Sequence, residues 1–174
     1  MFGAIYGDVI GSYYEVHYTK DVAFPLHPDS TFTDDSVLTA AVCKAILQNP
    51  AEISRFGLRK RAEEYAAQYR QFYSYFPNAG FGNLFSQWAK DPYARRGRSF
   101  GNGAAMRVIP IGYAYATLEQ TLLQAKASCL APTTIEKPSK AHKRLPLQCF
   151  WHAMARPKKP FVRICKSDSA TISP

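Results

Sequence analysis

Thr33-Asp34-Asp35-Ser36 sets two adjacent carboxylates between hydroxyl residues, at the head of an apolar, alanine-rich run. Two ionised carboxylates ~4 Å apart repel by about 4 kcal/mol at an effective dielectric of ~20. A helix N-terminus, where Thr and Asp are favoured caps, returns only ~0.3–1 kcal/mol per acid. Two chemistries stay open. If the side chains diverge into water, the segment is an ordinary cap. If both point inward they need a cation, and the oxygen donors Thr33, Asp34 and Asp35 select Mg2+, Mn2+ or Ca2+ over zinc.

Two further stretches carry chemistry. Ser99-Phe100-Gly101-Asn102-Gly103 precedes a helical pattern, and such glycines let a backbone turn present several N–H groups to a phosphate. Many glycine-rich loops are only turns, and Met106 just beyond this one reads as core filler. Asp8 lies within an apolar helical face, where an unpaired charge is costly, so it requires a hydrogen-bond or charge partner. Glu15 follows one turn beyond Gly11 and is placed to face the same cleft. His17 and His27 read as surface loop residues, and His142 and His152 have no supporting pattern.

The elements that must position these residues read as helices. Gly3, Gly7 and Gly11 fall four apart on one face, open to close approach by a helix or a ligand. Val37, Leu38, Ala41, Val42 and Ile46 form one stripe over residues 34–47, ended by Asn49-Pro50. A long amphipathic stretch with mixed charge on its polar face covers residues 51–73. Two more helices are expected over 103–117 and 118–130, the first kinked at Pro110. No run alternates with period two long enough to make a strand, so the expected class is all-α.

Bulk properties narrow the function classes. The chain has 174 residues, 47% apolar and 20% charged, which suits one globular domain. No apolar run approaches the ~20 residues a membrane helix needs, and the N-terminal stretch lacks the basic leader of a signal peptide. Cys43, Cys129, Cys149 and Cys165 show no CxxC spacing and imply no disulfide framework. A cytoplasmic location is the resulting expectation. The net charge of +9 suggests nucleic acid, but residues 131–174 hold nine Lys/Arg against Glu136 and Asp168, so +7 belongs to that tail. The tail has no glycine and six of the twelve prolines, which excludes a long helix there. A basic extension that binds RNA or an acidic partner is one reading of it.

Taken together and in order, the three motifs resemble the ADP-ribosylglycohydrolase family. Its G-A-x-x-G-D-x-x-G segment is matched by Gly3 to Gly11, with Glu15 as the acid that follows. Its T-D-D-[TS] segment is matched by Thr33 to Ser36, and S-x-G-N-G-x-x-M-R-x-x-P-x-G by Ser99 to Gly112 without a gap. The resemblance covers residues 1–130 and implies an all-α, orthogonally packed multi-helix bundle. It implies two Mg2+ or Mn2+ ions, with Thr33, Asp34 and Asp35 as metal ligands and Asp34, Asp35 and Glu15 as the catalytic carboxylates. Asp8, Ser99, Gly101, Asn102, Gly103 and Met106 would then contact substrate. The implied reaction is hydrolysis at C1″ of an ADP-ribose linked to a protein or a small molecule, with no nucleic-acid or membrane partner.

The family's remaining metal ligands come from a D-x-D-[TS] segment that is absent from this chain, so the cation site is expected to be incomplete and activity impaired. Loss of the helices that carry it is expected to expose the apolar faces of 34–47 and 103–130 and to favour oligomers. The family continues near position 131 with S-H-N-H and an alanine-rich helix. Ala131 to Lys143, encoded with suitable synonymous codons and read out of phase, spells S-H-N-H-R-K-A-I-K-G-A-Q. Residues 131–174 are therefore expected to be a frameshifted readout with little regular structure.

Overall fold

The apolar stripe of residues 34–47 organises the molecule. The computed structural model describes residues 2–94, 103 and 105–130. Its helices are α1 (Phe2–Ser12), α2 (Asp34–Gln48), α3 (Leu58–Tyr75), α4 (Asn83–Lys90), α5 (Ile109–Ala114) and α6 (Leu118–Leu130), with 3-10 turns at Tyr13–Glu15 and Arg55–Gly57. No strand occurs among the described residues, so the architecture is the all-α one expected. Ser99, Gly101, Asn102 and the 131–174 tail lie outside the described residues.

Helix α2 begins where the cap chemistry predicts. Thr33 adopts extended backbone and its side chain accepts from the Asp35 N–H, satisfying one of the N–H groups a helix start leaves unpaired. It ends at Asn49, whose N–H reaches the Ala45 carbonyl, just before Pro50. Val37, Leu38, Ala41, Val42 and Ile46 are all buried, joined by Ala45. They pack against α3, which presents Ala62, Tyr65, Tyr69 and Tyr73 at helical spacing, and against α5. Helix α6 packs against α3 and also contacts α5.

Several expectations are corrected. The 103–117 helix is confined to Ile109–Ala114, and Pro110 stands in its first turn, where a missing N–H costs nothing and no kink is needed. The polar face expected of the 51–73 stretch is not wholly polar in use, because Arg61 is only 1% exposed. Its guanidinium donates to Glu64 Oε2 at 2.6 Å, Gln124 Oε1 at 2.8 Å and the Tyr115 hydroxyl at 3.2 Å, tying α3 to α5 and α6. Helix α4 was not expected. It seats Trp88 and Ala89 in the core, with the Arg70 guanidinium 4.4 Å above the Trp88 ring. The α2 stripe that was expected to be bared is covered. On α1 no residue is fully buried and Phe2 and Tyr6 are 61% and 64% exposed, while on α6 Leu118 and Leu122 are also exposed.

Candidate active site

The site is built on the N-terminus of α2. Thr33 is the N-cap and Asp34 and Asp35 are the first two helical residues, so both carboxylates are fixed to one turn of backbone. Helix α1 packs beside this turn and delivers Asp8 onto it. Asp8 Oδ2 accepts from the Thr33 N–H at 2.9 Å and the Ser36 N–H at 3.2 Å, while Oδ1 accepts from the Thr33 hydroxyl at 2.5 Å. A capping box normally uses a Glu or Gln at the third helical position to reach back to the cap N–H. That position is Ser36 here, and Asp8 supplies the carboxylate from another helix. The partner required for Asp8 by its apolar setting is therefore the head of α2.

Among the described residues, the charged groups that act on Asp34 and Asp35 are all negative. Asp34 and Asp35 are half-buried. Burial, then the neighbouring Asp35, Asp8 and Glu15, push the Asp34 carboxyl from 3.8 up to about 7. Burial, then Asp8 and Glu15, push Asp35 up to about 6. Glu15, exposed at the end of the turn after α1, is thus within electrostatic reach of both. Thr33, Asp34 and Asp35 offer oxygen donors of the kind that fit a hard divalent cation. Among the described residues, however, no three acidic, imidazole or thiol groups converge closely enough to enclose a metal.

Met106, three residues past Gly103, reaches the same helix. Thr39, one turn after Asp35, donates its hydroxyl to the Met106 carbonyl at 3.3 Å. The Met106 side chain packs against the core, and Gly103 is half-buried. One neighbour escaped the sequence reading. Gly80, in the turn between α3 and α4, has φ +92°, and a Cβ built on it would stand 3.7 Å from Asp34 Oδ1. The signal was present in Pro77-Asn78-Ala79-Gly80-Phe81-Gly82, a turn-forming run, but nothing local tied it to Asp34. Phe76 at the end of α3 meets Phe32 edge-on at 5.5 Å, anchoring the residue before Thr33.

His17 and His27 also do more than occupy a surface loop. Their rings stack on Tyr13 at 4.1 and 3.6 Å, which folds the segment after Glu15 back onto the 3-10 turn.

A helical chain with paired acids at a capped helix start, and with Met106 held against the same helix, defines a class. The sequence matches the ADP-ribosylglycohydrolase family over residues 1–140, and the chain belongs to that family. Among curated proteins it is similar to ADP-ribosylhydrolase ARH3 of Mus musculus, 30% identical over 159 residues, which cover 74% of this chain and 41% of the relative. ADP-ribosylhydrolase ARH3 of Homo sapiens is 28% identical over 159 residues and that of Xenopus tropicalis 27% over 156, each covering 74% of this chain and 42% of the relative. The chain thus spans about two fifths of the length of these relatives. No helix among the described residues is long and apolar enough to cross a membrane.

Proposed function

We propose that this chain is the cation-facing and substrate-facing part of an enzyme that hydrolyses the bond between ADP-ribose and a protein side chain or small acceptor. The observation that carries this reading is the crowding of Asp34 and Asp35, whose charged partners among the described residues, Asp8 and Glu15, are also acids. Thr33, Asp34 and Asp35 would hold Mg2+ or Mn2+, which when bound would anchor ribose hydroxyls and acidify a water. Glu15, Asp34 and Asp35 are the carboxylates assigned to orient that water and take its proton during attack on C1″. Asp8 is assigned to the substrate side only through its hold on Thr33. Ser99, Gly101, Asn102 and Gly103 are assigned to the diphosphate and adjoining ribose, with Met106 against the sugar.

A second reading has a specific observation behind it. Among the described residues the acids do not converge closely enough to enclose a metal. A chain of this kind would recognise ADP-ribose while turning it over slowly or not at all. One experiment separates the two. Calorimetry with ADP-ribose, with Mn2+ or with EDTA, is run beside release of ADP-ribose from a modified peptide. Mn2+-dependent binding with release abolished in Asp35→Asn supports the hydrolase, and binding without release supports the recognition module. Absence of binding under both conditions removes both.

A further inference from the structure

We propose that Asp8 is a positioning residue that sets the direction of the Thr33 hydroxyl. The inference rests on the reading of Thr33, Asp34 and Asp35 as cation ligands. An ionised carboxylate can only accept, so in the contact between Asp8 Oδ1 and Thr33 Oγ1 the hydroxyl must be the donor. Oγ1 also accepts from the Asp35 N–H at 3.3 Å. A hydroxyl has one proton and two lone pairs. With the proton given to Asp8 and one lone pair taken by Asp35, Thr33 has one lone pair and no proton left to offer. That is the state a cation ligand requires, because a hydroxyl that turned its proton outward would repel the ion.

Asp8 is itself nearly saturated. A carboxylate has about four acceptor positions, and Thr33 N–H, Thr33 O–H and Ser36 N–H fill three of them. Direct contact with substrate is therefore a minor part of what this side chain can do. Its reach from α1 across to the start of α2 makes the hydroxyl's direction a property of helix packing rather than of the local cap. Partners behind a first ligand commonly change metal affinity by ~10–100-fold when replaced.

Asp8→Asn separates positioning from capping. The Asn oxygen still accepts from the Thr33 and Ser36 N–H groups, but its NH2 now donates to Thr33 Oγ1 and turns the hydroxyl proton outward. The helix start is kept and the hydroxyl is reversed. Mn2+ binding is measured by electron paramagnetic resonance on wild type, Asp8→Asn, Thr33→Val and the double variant, with circular dichroism confirming helix content. We expect Asp8→Asn to remain folded and to weaken Mn2+ binding by ~10–100-fold. In the Thr33→Val background the same change should have only the small effect of removing one nearby charge, because the group Asp8 acts through is gone. Should Asp8→Asn fail to fold, Asp8→Glu, which keeps the charge but displaces the acceptor, takes its place in the same cycle. An undiminished loss in the Thr33→Val background, or no loss at all in the single variant, overturns the positioning role and leaves the cation reading standing. Failure of wild type to bind Mn2+ in a manner sensitive to Asp35→Asn brings down the cation reading, and the positioning role with it.

Discussion

Raising the pH on the cation-free protein should weaken it through Asp34 and Asp35. Both folded carboxyls hold protons at pH values where the unfolded chain, titrating near 3.8, has released them. The folded state therefore binds more protons, and stability falls as pH rises from about 4 toward about 7. At ~1.4 kcal/mol per pH unit, the full displacement of Asp34 alone would be about 4 kcal/mol. Both side chains keep part of their surface in water and repel each other, so screening reduces this, and about 2 kcal/mol for the pair is expected. The assay is urea unfolding in EDTA, followed by tryptophan fluorescence, at several pH values from 4 to 7.5. Wild type is compared with Asp34→Asn/Asp35→Asn, so that other titrating groups cancel. The double variant should gain on wild type by about 2 kcal/mol across this range. Saturating Mn2+ at pH 7.5 should restore wild type and leave the variant unchanged. A difference that is flat with pH, or that favours wild type as pH rises, would refute the crowding that underlies the site.

Three other outcomes are expected. Gly80→Ala forces a left-handed backbone onto a residue with a Cβ and should cost ~1–3 kcal/mol in thermal unfolding, with Mn2+ binding also weakened because the turn lies against Asp34. Glu64→Ala removes the carboxylate partner of the buried Arg61 guanidinium, leaving it Gln124 and Tyr115, and also the acceptor of the Asn49 side chain, and should cost ~1.5–3 kcal/mol by urea denaturation. Self-association, if driven by the exposed face of α1, should fall when Tyr6 is replaced by Lys, as read by sedimentation velocity, whereas Leu122→Lys on α6 should leave it unchanged.

Much of the helical framework was legible in sequence because it depends on local periodicity and local hydrogen bonding. The α2 stripe, its Thr33 cap and its end before Pro50 are decided within a few residues of one another. Pro110 shows the limit of such reading. Its ring stops a helix from running through, but whether it kinks a long helix or starts a short one depends on how the preceding residues pack. Arg61 shows another. A charged residue in an amphipathic run is expected on the solvent side, and only the presence of Glu64, Gln124 and Tyr115 around it makes burial affordable. Helix α4 escaped notice because eight residues are too short for periodicity to declare itself, and its stability comes from Trp88 and Phe85 packing on α3.

The sequence by itself determined the family motifs, the all-α class and the position of the paired acids, since residue type and spacing are written along the chain. It also stated that Asp8 must have a partner, because an ionised group in an apolar face cannot stay alone. Which partner was beyond it. Asp8 and Thr33 are 25 residues apart, and only the packing of α1 on α2 closes that distance. The same is true of Gly80 beside Asp34 and of Glu15 within reach of both acids. Tertiary structure decided these contacts because like charges are brought together against their own repulsion by helix packing elsewhere in the chain, a cost that no local pattern records.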